Sequence, residues 1–244
     1  MLKNGFGCIK GVGMSSFTTA VILAAGIGSR FGGETKKQYT PVSGVPCLAR
    51  TVSAFEECSL IDEIILVGEP SEILPIIEGY GFKKITKTVP GGATRQDSAL
   101  RGFDEISPKA DFVAIHDGAR CLITAENVES VVRAAYKSRA AAAAHKSEDT
   151  VKVSDDSDKI ADTLDRDKIW LVQTPQVFSA DVYRVCAYMA KKDGASVTDD
   201  CMLCERLGFK IKLVECGRNN IKLTSPDDLL LAEAIISARE GKKQ

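Results

Sequence analysis

The chain has 244 residues, of which 44% are hydrophobic and 27% charged, and its formal net charge is −1. That length can bury a substantial core in one α/β domain, and the near-neutral balance excludes a general nucleic-acid or membrane-surface binder, which needs a basic footprint. No apolar run approaches the roughly 20 residues of a membrane span, although local basic loops can still hold a phosphorylated small molecule.

Residues 1–17 are expected to form a loose leader, with Met14 as a second candidate start. A signal peptide ending at Ala25 is set aside, because cleavage there would delete the first core strand; the chain is expected to be cytoplasmic. The run Ala20-Val21-Ile22-Leu23-Ala24-Ala25 then reads as a parallel strand buried on both faces. It breaks into Gly26-Ile27-Gly28-Ser29-Arg30 and a polar loop bearing Lys36 and Lys37. Glycines there let backbone amides approach an anion, and the cations add fixed positive charge, so the stretch reads as a polyphosphate grip.

Helical spacing over residues 46–58 puts Leu48, Val52 and Phe55 on one face. Residues 63–67 form a second buried strand, Ser71 caps a short helix reaching Tyr80, and residues 83–89 form a third strand. Pro90-Gly91-Gly92 interrupts, a helix spans 94–106, and a fourth strand over 111–115 ends at His116-Asp117-Gly118-Ala119-Arg120. Thr124 caps the following helix, to residue 139. The alternation predicts a Rossmann-like, doubly wound, mostly parallel sheet, with the loops 26–39, 91–97 and 116–120 converging at the strands' carboxyl ends.

The pattern changes over residues 140–173. Segments 149–153 and 159–163 alternate around the turn Ser154-Asp155-Asp156-Ser157-Asp158, which predicts a β-hairpin. It is placed as a projecting arm over about residues 145–171 of a single domain spanning 18–240, covered by a second subunit because a lone hairpin is marginal. Beyond it come a helix over 179–191, a helix to Leu207 capped by Thr198, a strand over 210–214 and an extended segment 220–224. Ser225-Pro226-Asp227-Asp228 then opens the last helix.

The eight cysteines are read as reduced, packed thiols. Cys201 and Cys204 have metal-like spacing, but they sit in a helical pattern without a second paired cluster, so no protein metal site is expected. A Walker loop is excluded by the missing Gly-Lys-Ser/Thr. A dinucleotide fold is disfavoured because a long loop, not a helix, follows the glycines, and the first acid after a second strand, Glu69, comes too late.

The stretch 24–30 with Lys37-Gln38-Tyr39 is similar to a sugar-nucleotidyltransferase signature. Gly91-Gly92-Ala93-Thr94-Arg95-Gln96-Asp97-Ser98, His116-Asp117-Gly118-Ala119-Arg120, Asp149-Thr150-Val151-Lys152, Thr174-Pro175-Gln176, Val197-Thr198-Asp199-Asp200 and Asn220-Ile221-Lys222-Leu223-Thr224 follow in order. Over about residues 19–236 the set resembles the 2-C-methyl-D-erythritol 4-phosphate cytidylyltransferase family. Lys36, Ala93 and Cys121 depart from it, standing where the family usually has proline, an acid and proline.

The resemblance implies transfer of CMP from CTP to 2-C-methyl-D-erythritol 4-phosphate with Mg²⁺, releasing pyrophosphate, by a homodimer whose site the arm completes. It implies catalytic roles for Arg30, Lys37 and Lys222. Ala24, Ala25, Gly26, Gly28, Gly91, Gly92, Arg95 and Ser98 would hold the nucleotide, and Asp117, Arg120, Thr150, Arg166 and Thr198 the polyol phosphate. A ribitol 5-phosphate cytidylyltransferase is the alternative; a nucleotide sensor without activity is disfavoured by the joint presence of Arg30, Lys37 and Lys222. Taken singly, Arg101 and Lys152 read as solvated charges, His116 as a structural hydrogen bonder, Thr198 as a helix cap and Cys121 as a packed thiol.

Overall fold

In the computed structural model, residues 16–26 and 36–241 are described. Arg30, Gly28 and residues 1–15 of the expected leader lie outside them.

The central strand β1, Thr18–Leu23, is buried along nearly its whole length, as its unbroken apolar run requires. A small antiparallel pair, β2 (Pro41–Val42) and β3 (Val45–Pro46), leads into α1 (Cys47–Glu57) and then β4 (Glu63–Val67). Next come α2 (Pro70–Ile77), β5 (Ile85–Val89), α3 (Arg95–Asp104), β6 (Phe112–Asp117) and α4 (Ala125–Ser138). The strands β7 (Ala140–Lys146), β8 (Lys152–Ser154), β9 (Ile160–Thr163) and β10 (Trp170–Ser179) follow. The helices α5 (Ala180–Lys192) and α6 (Asp200–Glu205), strand β11 (Lys212–Glu215) and helix α7 (Pro226–Glu240) close the described chain.

One seven-stranded sheet has the order β11-β7-β10-β6-β1-β4-β5, and β10 alone runs antiparallel to its neighbours. Alternate residues of β1 face opposite cores. Ala20 and Ile22 pack with Leu48, Val52 and Phe55 of α1 and Val128, Val131 and Val132 of α4. Val21 packs with Ala99 and Phe103 of α3 and Val182 and Tyr183 of α5. The sheet is therefore wound on both faces, with β1 and β6 flanking the point where the strand order reverses.

Several predicted boundaries change for local reasons. The short helix starts at Pro70, with Glu69 in the capping position; Ser71 Oγ instead donates to the Glu69 carboxylate at 3.0 Å. Asp199, not Thr198, caps α6, accepting the Met202 amide at 3.0 Å. Residues 220–224 form no strand; the Leu223 amide donates to the Ala119 carbonyl at 2.9 Å and pins the segment as a loop.

The largest correction concerns residues 140–146 and 170–179, which are not arm or connection but sheet strands. Arg139 ends α4 in the left-handed region at φ 68°, and the five following alanines enter the sheet fully buried. Burial on both faces there overrides alanine's helix preference. In β10, Pro175 sits within an irregularity between Val172 and Gln176, where a missing amide donor is tolerated. The hairpin itself is as expected: β8 and β9 pair antiparallel in a separate two-stranded sheet, with Asp158 at φ 60° in the polar turn.

Candidate active site

The carboxyl ends of the parallel strands are laced together. Gly118 N donates to Leu23 O at 2.8 Å, Ala24 N to Val67 O at 2.7 Å and Gly68 N to Val89 O at 2.8 Å. Above this line lies a cavity of about 460 Å³, lined by Leu23, Ala25 and Gly26 after β1 and by Gly92, Ala93, Thr94, Arg95 and Ser98 around the start of α3. Asp117 at the end of β6 and Ala119 beyond it complete it with Lys37, Gln38 and Lys222. It occupies the crevice between β1 and β6 where doubly wound sheets bind ligands.

Glycine keeps one wall low. A Cβ on Gly91 would sit 2.1 Å from Ala25 Cβ, and one on Gly92 2.3 Å from Asp97 Cβ. The 91–98 loop is held by Gly92 N donating to Ser98 Oγ at 2.9 Å and by the Thr94–Asp97 capping box. Arg101, read as a solvated charge, donates from Nη1 to Gly91 O at 2.7 Å and steadies the same loop. Across the cavity, Gln38 Nε2 donates to the carbonyls of Ala24 at 2.7 Å and Gly26 at 2.9 Å, fixing the exit of β1. The two neighbouring lysines part: Lys36 pairs with Glu72, while Lys37 lines the cavity.

Asp117 is the electrostatic hub. Its carboxylate meets Lys222 Nζ at 2.8 Å, Arg95 Nε at 3.0 Å and Arg120 Nε at 3.9 Å. Burial alone would raise its pKa, but Arg95, Lys222 and Arg120 outweigh that and hold it well below the usual carboxylate range. Arg95 also reaches Asp200 at 2.7 Å; burial would lower its pKa, and the two carboxylates reverse the shift. Lys222 is aimed by its own segment. Asn220 Nδ2 donates to Thr174 O at 2.8 Å and Gln173 Oε1 at 3.1 Å, and Arg120 Nη1 donates to Asn220 O at 2.8 Å.

His116 lies beneath this layer, fully buried. Asp117 N donates to Thr174 Oγ1 at 3.0 Å, leaving that hydroxyl to donate to His116 Nδ1 at 3.1 Å, while Nε2 faces Arg120 O at 3.4 Å. These contacts assign the neutral tautomer protonated at Nε2. Burial pushes its pKa down to about 3, so it is a structural imidazole, as its strand-end position implied.

The structure thus brings together Ala25, Gly26, Lys37, Gly92, Arg95, Ser98, Asp117 and Lys222 on the cavity, with Ala24, Gly91 and Arg120 directly behind it. Thr150, Arg166 and Thr198 do not line it: Arg166 donates to Glu148 O at 3.1 Å in the exposed arm, Thr150 is exposed there, and the Thr198 hydroxyl faces Met202 Sδ at 3.9 Å. Gln38, Thr174 and Asn220 lie inside the sequence motifs, but only their hydrogen bonds in the fold reveal their work. Tyr183, whose hydroxyl reaches Asp200, left no sequence signal. Among the described residues no group of three or more His, Cys, Asp or Glu is placed to hold a metal, and the described cysteines are free.

A switch-point cavity with cations at its rim and a glycine-cleared wall suits a polyphosphate, and it defines a nucleotide-binding α/β protein. Comparison with known proteins narrows that class. The profile described as 2-C-methyl-D-erythritol 4-phosphate cytidylyltransferase matches residues 18–238. A protein of that name from Alkaliphilus oremlandii is 40% identical over 232 residues, covering 93% of this chain and 98% of the relative. One from Desulforamulus reducens is 41% identical over 224 residues, covering 90% and 96%. The crystal structure of 4-diphosphocytidyl-2C-methyl-D-erythritol synthase from Anaerococcus prevotii superposes with a TM-score of 0.83 at 32% identity, covering 91% of this chain and 97% of that one. This chain belongs to the 2-C-methyl-D-erythritol 4-phosphate cytidylyltransferase family.

Proposed function

We propose that this chain transfers CMP from CTP to 2-C-methyl-D-erythritol 4-phosphate, releasing pyrophosphate and forming 4-diphosphocytidyl-2-C-methyl-D-erythritol for non-mevalonate isoprenoid synthesis. The observation that carries the reading is the family match over residues 18–238, whose span includes every residue of the cavity. An oxygen of the sugar phosphate attacks the α-phosphorus of CTP. The new P–O bond forms as the bond to the bridging oxygen of pyrophosphate breaks, and that oxygen leaves with the electron pair. Because the nucleophile is already anionic, no side chain need act as general base. The difficulty is bringing polyanions together and stabilising charge at the five-coordinate phosphorus, so positioned cations carry the catalysis.

Lys37, Lys222 and Arg30 are assigned to the triphosphate and to transition-state charge. The backbone at Ala24, Ala25, Gly26 and Gly28, with Gly91, Gly92 and Ser98, receives cytosine and ribose, and Arg95 orients that loop. Asp117 and Arg120 face the polyol phosphate. Mg²⁺ would travel on the triphosphate: Asp117 is the one carboxylate among the described lining residues, and Mg²⁺ commonly takes one or two carboxylates alongside phosphate oxygens and water. When bound, it neutralises phosphate charge.

Thr150 and Arg166, remote from this cavity, are assigned to the site of a second subunit, with Thr198 on the substrate side. The homodimer is supported by the apolar residues that the arm and its base expose: Val153 at 43%, Ile160 at 69%, Leu171 at 48% and Val172 at 41%. Such a surface on a marginal two-stranded sheet calls for a cover. Sedimentation velocity at micromolar concentration is expected to show a dimer, and a monomer would refute it. The cytoplasm is the proposed location, consistent with the free described cysteines and with no described helix long and apolar enough to cross a membrane.

Pyrophosphate release measured with CTP and Mg²⁺ tests the activity. Turnover is expected with 2-C-methyl-D-erythritol 4-phosphate and not with ribitol 5-phosphate; the reverse pattern would overturn the substrate assignment.

A further inference from the structure

Arg95 faces two ways. On the cavity side its Nε donates to Asp117 Oδ1 at 3.0 Å, and on the other its Nη1 donates to Asp200 Oδ2 at 2.7 Å. Asp200 is only 1% exposed, and its second oxygen accepts the hydroxyl of the fully buried Tyr183 at 2.8 Å. Capping does not explain this carboxylate, because Asp199 caps α6. The mount is rigid: Gln176 of β10 donates to Asp199 Oδ2 at 2.8 Å and accepts the Cys201 amide at 3.0 Å, holding Asp200 between them. A carboxylate buried so deeply is costly to keep, and here both of its oxygens are spent on one arginine and one tyrosine.

We propose that Asp200, anchored by Tyr183, is a positioning residue for the transfer reaction that acts through Arg95. By holding one arm of the guanidinium, it stops Arg95 from closing on Asp117 with both arms. Asp117 then keeps Lys222 at the cavity edge, and the first turn of α3 stays in register with the 91–94 loop. Without Asp200, Asp117 is the one carboxylate partner left to Arg95 among the described residues, and a two-armed Arg–Asp pair would compete directly with Lys222. Asp200 itself touches no reacting group.

The inference rests on the proposed cytidylyl transfer and is tested by steady-state kinetics of the full chain, varying CTP and the polyol phosphate separately. Asp200→Asn is expected to lower kcat about 10- to 100-fold, as a misplacement of about 1 Å does, with a smaller change in KM for the polyol phosphate. In an Arg95→Lys background, the same substitution is expected to change kcat by less than about 3-fold, because residues acting as one unit are not additive. Leu203→Ala, on the same helix and in the same core, is expected to lower Tm with kcat unchanged. Should Asp200→Asn not fold, Tyr183→Phe keeps both charges and carries the test; its several-fold loss of kcat must likewise vanish in the Arg95→Lys background. Equal effects in both backgrounds, or a loss of Tm without a loss of kcat, would overturn the role of Asp200 while leaving the activity standing. Parent protein that releases no pyrophosphate from CTP would overturn the functional reading and this inference with it.

Discussion

Replacing Asp117 with asparagine keeps the shape of the side chain and removes the charge that three cations share. At an effective dielectric of about 20, the gross attraction of the carboxylate to Lys222 at 2.8 Å and to Arg95 at 3.0 Å is roughly 5–6 kcal/mol each. Desolvation of the same groups offsets most of it, and breaking a buried pair costs about 3–5 kcal/mol in net terms. Lys222 and Arg95 keep 34% and 29% of their side-chain surface exposed, so solvent screens part of the effect and about 3 kcal/mol is the working figure. For a chain of 244 residues, that lowers Tm by about 6–12 °C. Because the folded carboxyl titrates below its unfolded value of about 3.9, its contribution is complete above that pH and fades as pH falls below it. The deficit should therefore be constant from pH 5 to 8 and narrow below about pH 4. It should also narrow under saturating CTP, whose phosphates supply the missing negative charge. Calorimetry of parent and variant across this pH range, with and without CTP, makes the measurement. A Tm within about 2 °C of the parent at pH 7 would refute the electrostatic account of the hub.

Lys37→Ala is expected to cut turnover by about 100- to 1000-fold while weakening CTP binding far less, as loss of a preorganised charged contact does; near-normal turnover would remove Lys37 from the catalytic set. Gly91→Ala forces a Cβ to within 2.1 Å of Ala25 Cβ, which has no side-chain freedom to retreat. Titration calorimetry should show CTP affinity reduced by at least about tenfold, a modest estimate for a displaced binding loop. His116 stays neutral in the folded state down to about pH 3, whereas the unfolded imidazole binds a proton below about pH 6.5. The sign follows: stability falls as pH drops below 6.5, by about 1 kcal/mol between pH 7 and 5.5. Urea titrations should show that loss in the parent and not in His116→Asn, and an equal loss in both would assign it elsewhere.

The strands β1, β4 and β6 and the helices α1, α3 and α4 were legible because each is a local pattern: an unbroken apolar run or a helical stripe with its cap. The strand β7 was not, since five alanines carry no strand signal and become one only between β10 and β11. In β10, Pro175 and the polar Gln173, Thr174 and Gln176 disguise a central strand, whose polar groups find partners in Asn220, His116, Asp117 and Asp199. The site divides in the same way. Glycines and lysines at the ends of apolar runs are visible in one dimension, but the work of Asp200 and Asn220 depends on arginines 105 and 100 residues away, and that of Tyr183 on its contact with Asp200.

By itself, then, the sequence determined the winding of the sheet up to β6, the rim where its loops meet and the anionic character of the ligand, because periodicity, turn chemistry and charge are local properties of the chain. Tertiary structure alone decided that Lys36 pairs with Glu72, and that Asp117 binds Lys222, Arg95 and Arg120 together. It also decided that Asp200 takes the far side of Arg95. A charge's role depends on the partners within a few ångströms, and folding draws those partners from distant parts of the chain.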